Sequence, residues 1–176
     1  GFLFIAGLVV GRSRKLRTHI QPEAIKKILI IKFFGGGSIL LASPIFSRIK
    51  ETLQDARISI ITLSENKEIC SLLTPIDNIY YLDLKTPVSF LLTYLRLVQE
   101  IKSKNYDVIV DLEFITNFSA LTTLLISLGS TACTAIGFSS PSRWRNKVYS
   151  IAIPFDHSRH ITGIFGKLFS PLIDKS

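Results

Sequence analysis

Methionine is missing from all 176 residues, and cysteine occurs only twice. A chain with no methionine at its start or anywhere else reads as a piece of a longer protein. Cys70 and Cys133 stand far apart in apolar settings. No cysteine or histidine spacing suits a metal, so the pair reads as two reduced thiols rather than a disulfide or a zinc site. Charge is scarce as well, at 19% of residues against 47% hydrophobic, with a mean hydropathy of +0.37. That balance excludes a disordered chain, and the length suits one domain with a real core. Repeats and low-complexity stretches are absent. Two nucleotide signatures are absent too. No lysine follows the glycines Gly35–Gly37, which excludes a Walker A loop, and Leu40 stands where a dinucleotide fingerprint needs its third glycine.

Positive charge is plentiful by contrast. The net charge is +8, and Arg12, Arg14, Lys15, Arg17, Lys26 and Lys27 face Glu23 alone near the start. Just before them lies the apolar run Gly1–Val10, GFLFIAGLVV. A bilayer span takes about 20 such residues, so this run alone cannot cross. An apolar run followed by a basic flank nevertheless has the pattern of a transmembrane helix end and its cytoplasmic side. The sequence therefore predicts a partial anchor over 1–26, a membrane partner, and a place at the cytoplasmic face of the inner membrane; a short apolar helix or a disordered remnant is the alternative. Basic residues gathered beside an apolar run, and not interleaved with aromatics on a helix face, argue against nucleic acid.

From Lys27 onward apolar runs alternate with helical patterns. Strands are expected at Ile28–Lys32, Arg57–Leu63, Asn78–Leu82, Tyr106–Asp111, Thr131–Gly137 and Val148–Pro154. Helices are expected at Ser38–Thr52, Ser64–Leu73, Thr86–Ser103, Asn117–Leu128 and His157–Ile173, with Pro44 in the early turns of the first and Pro171 cutting the last short. Phe138–Lys147 reads as a polar, basic loop. Continuous apolar strands between helices predict an α/β, Rossmann-like, doubly wound parallel sheet.

Three places carry chemistry. Gly35, Gly36 and Gly37 lead from the first strand into a helix at Ser38, where N–H groups and the helix dipole converge; a plain turn is the alternative. Asp111 and Glu113 end the fourth strand, at the sheet edge where ligands of such folds bind, and a carboxylate there can act as general base or simply cap the next helix. Arg143, Trp144 and Arg145 offer guanidiniums and an indole to a phosphate or sugar, or form an ordinary solvated loop. His157 and His160, near Arg159, suit a phosphate contact or a helix start, and not a metal.

Taken in order, KILIIKFFGGGSILLASPIFSRIKE, DARISIIT, SKNYDVIVDLEF, FSALTTLLISLG and TAIGF resemble glycosyltransferase family nine, the heptosyltransferase-like enzymes of lipopolysaccharide assembly. KFFGGGS, DLEF and the late RHI resemble a variant branch of it. The resemblance implies the N-terminal half of a GT-B fold: an acceptor-binding domain over 27–155, the start of an interdomain helix over 156–176, and a donor domain beyond. It implies a metal-independent transferase needing no cofactor, with a nucleotide-sugar donor and a glycolipid or polysaccharide acceptor as partners. This chain alone would be inactive. The family's loop ends Gly-Asp, the aspartate being its proposed base, and here Ser38 follows Gly37. Three accounts stay open: Glu113 or Asp111 serves as base, positioning alone drives transfer, or the protein binds sugar without transferring it. A non-catalytic sugar- or nucleotide-binding module and a membrane-tethered interaction domain are the alternatives to an enzyme.

Overall fold

The computed structural model describes residues 20–174 except 74, 85, 115 and 131. Six strands form one sheet: β1 (Lys27–Ile31), β2 (Arg57–Leu63), β3 (Asn78–Leu82), β4 (Val108–Asp111), β5 (Thr134–Phe138) and β6 (Ile151–Ile153). They lie in the order β3-β2-β1-β4-β5-β6, and every neighbouring pair is parallel. This is the doubly wound Rossmann-like α/β arrangement the sequence predicts. The chain winds outward from β1 in one direction, then returns to the other side of β1 to lay down β4. The connections therefore diverge between the C-terminal ends of β1 and β4, which opens a crevice there.

Burial on both faces explains why the central strands read as unbroken apolar runs. Ile28 and Ile30 of β1 face one layer, and Leu29 and Ile31 face the other. The first layer holds α1 (Gly36–Thr52) and α6 (Ile161–Ile173). Ile39, Ala42, Ile45, Phe46 and Ile49 of α1 meet Ile164, Phe165, Leu168, Phe169 and Leu172 of α6, with Phe46 and Phe169 edge to face at 6.1 Å. The second layer is built on α3 (Pro87–Ser103), through Tyr94, Val98 and Ile101. α4 (Asn117–Ser127) sends Ile126 into that layer, and Ala120 and Leu124 toward β5 and Tyr149. Single-turn α-helices follow two of the strands: α2 (Lys67–Cys70) after β2 and α5 (Arg143–Asn146) after β5.

Several boundaries differ from the sequence expectation. β4 and β6 are shorter than predicted, β5 begins at Thr134, and Ser64–Leu73 condenses to a 3-10 turn at Ser64–Asn66 followed by α2. Leu40, in the second turn of α1, is 45% exposed. Pro44 lies in the middle of α1, and Pro171 lies inside α6 without ending it. A proline there removes the hydrogen bond to the carbonyl four residues back. For Pro44 that carbonyl belongs to Leu40, on the exposed side where water can reach it. Packing of both helices on the sheet then outweighs the lost bond.

The membrane placement needs correction. No helix among the described residues is long and apolar enough to cross a membrane, so an anchored location at a membrane face is not supported. Gly1–Val10 and its basic flank to Arg17 lie outside the described residues.

The packing of α6 gives a direct expectation. Phe165 is fully buried between α1 and the sheet. Truncation of such a ring removes about 3–5 kcal/mol, so Phe165→Ala should lower the urea midpoint by a corresponding amount. An unchanged midpoint would show that α6 is not part of the folded unit.

Candidate functional site

The crevice between β1 and β4 is built from the two segments that leave those strands. After β1 come Lys32, Phe33, Phe34 and the glycines; after β4 come Leu112, Glu113 and Phe114. The register Ile31↔Asp111 brings the two exits side by side. Across them, Lys32 Nζ donates to Glu113 Oε1 at 3.1 Å, and the Phe34 backbone N–H donates to Glu113 Oε2 at 3.2 Å. Both side chains of the ion pair are almost wholly out of solvent, at 3% and 0% exposure. The lysine ammonium also lies 5.3 Å from the centre of the Phe114 ring, a favourable approach for a cation. One carboxylate thus joins the two exits: each oxygen has a donor, and both donors come from the strand opposite.

A second carboxylate supports the first. Asp111 Oδ1 accepts the backbone N–H of Glu113 at 2.9 Å, and Oδ2 accepts the Tyr149 hydroxyl at 2.5 Å. Arg145 closes the network from α5. Its Nε donates to the Tyr149 hydroxyl at 3.3 Å, Nη1 donates to the Phe114 carbonyl at 3.3 Å, and Nη2 donates to the Glu113 carbonyl. Burial pushes Asp111 up from the ordinary 3.8 to about 6, although the Tyr149 hydroxyl, the Glu113 N–H and the Arg145 charge all pull it down. Burial, and next the Asp111 charge, raises Tyr149 well above an ordinary phenol. Gly137 on β5 makes room for that tyrosine: a Cβ there would come within 2.3 Å of the ring.

The glycines divide the loop's work. Gly35 adopts φ +77 as the residue before α1, a backbone conformation side chains disfavour. Its carbonyl accepts both the N–H and the hydroxyl of Ser38, at 2.9 and 2.6 Å. Gly36 permits close packing, since a Cβ there would lie 2.5 Å from Ile69 and 2.7 Å from Asn66 Oδ1. Asn66 in turn donates to the Phe33 carbonyl at 2.9 Å and to Thr62 Oγ1 at 2.8 Å. Gly37 faces open space. Held by Asn66 on one side and Glu113 on the other, the loop presents the exposed side chains of Phe34, Leu40 and Leu41 around it.

The expected site residues therefore fall into three groups. Gly35, Gly36, Gly37 and Ser38 stand at the crevice. Asp111 and Glu113 stand beneath it, fully buried and fully bonded, so in this conformation neither is placed to take a proton from a bound molecule. Arg145, expected to contact phosphate or sugar, is 2% exposed and points inward at backbone carbonyls. Arg143 is exposed, whereas Trp144 packs on the cluster of Ala120, Leu124 and Val148. His160 is exposed and accepts the Thr162 N–H through Nδ1 at 3.4 Å, which caps α6. Lys32, Asn66 and Tyr149 were not anticipated. A lysine directly after four buried apolar residues, at the end of a central strand, was the available signal for the first.

No protein-family model matches the chain, and no curated protein matches it. Solved structures do. The Escherichia coli heptosyltransferase WaaC with ADP superposes with a TM-score of 0.69 at 14% identity, over 85% of this chain and 48% of that one. WaaC with ADP-2-deoxy-2-fluoro heptose gives 0.68 at 15% identity, over 85% and 49%. A family 9 glycosyl transferase from Veillonella parvula gives 0.71 at 13% identity, over 88% and 43%. What is shared at such identities is the fold, and the chain spans about half the length of each of these structures.

The Asp111 network makes stability depend on pH in a stated direction. A folded value of about 6 against an ordinary 3.8 means that the folded state holds the extra proton between those limits. This contribution is complete below pH 3.8 and is lost as pH rises through 6, a decline on the order of 3 kcal/mol. Asp111→Asn has no such proton to lose. Urea unfolding at pH 4 and pH 7 should show a larger decline in the wild type than in the variant. Equal declines would place Asp111 in a more polar setting than the one described.

Proposed function

We propose that the chain is the acceptor-binding half of a heptosyltransferase-like glycosyltransferase of the GT-B kind, of the branch that carries serine after the loop glycines. In this reading residues 27–155 bind a lipopolysaccharide or other surface-glycan acceptor. Residues 156–176 lead toward a second domain that binds the nucleotide-sugar donor. The observation that carries it is the glycine loop Gly35–Ser38 opening α1 at the β1/β4 crevice, on a sheet whose fold is shared with known sugar transferases. The exposed Phe34 ring beside that loop gives an apolar platform of the kind a sugar ring stacks on, and its N–H is fixed by Glu113. Arg143 and His160 are exposed cationic or hydrogen-bonding groups available to an acceptor phosphate.

Burial of both carboxylates favours positioning over base catalysis by Glu113. In this account Glu113 is a positioning residue: it holds Phe34, and through Phe34 the loop. The same burial is the observation that favours the second reading, a sugar-binding module that does not transfer.

The test uses the whole protein with a nucleotide-heptose donor and a lipopolysaccharide-core acceptor. Sugar transfer is expected. Acceptor binding without transfer would establish the second reading, and no acceptor binding would overturn both. In an active enzyme, Glu113→Gln should raise the acceptor KM and leave kcat within about tenfold. A general base would cost roughly 10²–10⁴ in rate, so a kcat loss of that size at unchanged KM would return the base role to Glu113.

A further inference from the structure

The opposite edge of the sheet, where the strands begin, holds a second concentration of polar groups that the acceptor reading does not use. A cavity of about 250 Å³ is lined there by Lys27, Arg57 and Lys104 together with Ser59, Asn78, Tyr80 and Tyr106. It lies the length of β1 away from the crevice, roughly 15 Å.

Three facts about it point one way. First, Lys27 and Arg57 open β1 and β2 and are direct register partners. By alternation both project to the face of Leu29 and Ile61, so two like charges sit side by side on adjacent strands. Such a pairing is unfavourable unless something negative compensates it.

Second, among the described residues the carboxylates near these cations make no direct ion pair with them. Asp107 Oδ2 accepts the backbone N–H groups of Lys26 and Lys27, both at 2.9 Å. Asp77 feels the Arg57 charge, but its Oδ2 is bonded by Lys50 Nζ and the Ile58 N–H, both at 2.7 Å. Glu100 acts on Tyr106 from α3 and does not line the cavity. Among the described residues, neither Arg57 nor Lys104 has an ion-pair partner within 4 Å, and Lys27 Nζ bonds only the Lys104 carbonyl, at 2.8 Å.

Third, the wall behind the cations carries hydroxyl groups in fixed positions. Tyr80 and Tyr106 hydroxyls are bonded to each other at 3.2 Å, Tyr106 is 7% exposed, and Ser59 is buried beside it. Burial raises the Tyr106 phenol far above its ordinary value, so it remains a donor at any physiological pH.

We propose that this cleft binds a phosphoryl group of a small soluble molecule, a phosphate or pyrophosphate ester, with Arg57 and Lys104 as its charged contacts and the Tyr80–Tyr106 hydroxyl pair behind it. The bidentate guanidinium fork suits phosphoryl oxygens, and the volume admits one or two phosphoryl groups and little more. The inference stands apart from the acceptor reading, because it concerns the other edge of the sheet.

Inorganic pyrophosphate is the probe, with sodium chloride at matched ionic strength as the control. In the wild type, pyrophosphate should raise the melting temperature beyond the chloride control and shift the backbone amides of Lys27, Arg57 and Asn78. Arg57→Gln and Lys104→Gln alter exposed side chains and should fold. Each should weaken pyrophosphate binding by about tenfold, the loss of one charge-assisted contact. Pyrophosphate acting no better than chloride on the wild type would overturn the proposal. So would undiminished binding in both variants, or amide shifts confined to the crevice at Phe34–Ser38.

Discussion

The buried ion pair between Lys32 and Glu113 is the constraint on which the crevice depends. Taking two charges out of water is unfavourable, and it is offset only where geometry is good and the remaining hydrogen-bonding capacity is filled. Both conditions hold here. Glu113 accepts from the lysine and from the Phe34 N–H, while the lysine rests over the Phe114 ring. The pair joins the segments leaving β1 and β4 at the one point where the topology drives them apart. Without it, the two loops would be free to separate, and the glycine turn would lose one of its two supports.

A graded set of interactions surrounds that pair. Asp111, Tyr149 and Arg145 fix the backbone of Glu113 and Phe114 from the β5 side, while Asn66 holds the Phe33 carbonyl from the β2 side. Phe114, Phe138 and Phe155 form an aromatic group on the α6 side, with Phe114 and Phe155 centres 4.3 Å apart. The other exit is walled by Phe33 and Phe118, whose ring centres are 4.8 Å apart. Charged and hydroxyl groups therefore set the position of the exits, and aromatic rings exclude water from around them. Catalytic groups in many enzymes are left reachable. Here the carboxylates nearest the crevice are consumed in building it, and this shapes the functional account toward binding and orientation.

Much of the fold was legible because fully covered parallel strands leave continuous apolar runs, and RISIITL or KILII admit little else. The crevice was legible for a similar reason: glycines after a first strand and acidic residues after the fourth mark the switch point of this topology. The inward turn of Arg145 was not legible. It depends on Glu113 and Phe114, some thirty residues earlier in the chain, offering carbonyls that no pattern announces. The burial of Glu113 depends likewise on Lys32, which a linear reading takes for the end of a strand. Pro171 misled in the opposite sense, since local propensity marks it as an interruption, and packing of α6 on the sheet overrides it.

Hydrogen exchange at a single amide tests the central claim most directly. If the Glu113 carboxylate holds the loop, the Phe34 N–H is bonded at the molecular edge and should exchange far more slowly than an exposed loop amide. In Glu113→Leu it should exchange freely, while the Leu29 amide in the centre of β1 stays protected as an internal reference. A Phe34 amide that exchanges at the exposed-loop rate in the wild type, or that is equally protected in the variant, would contradict the account.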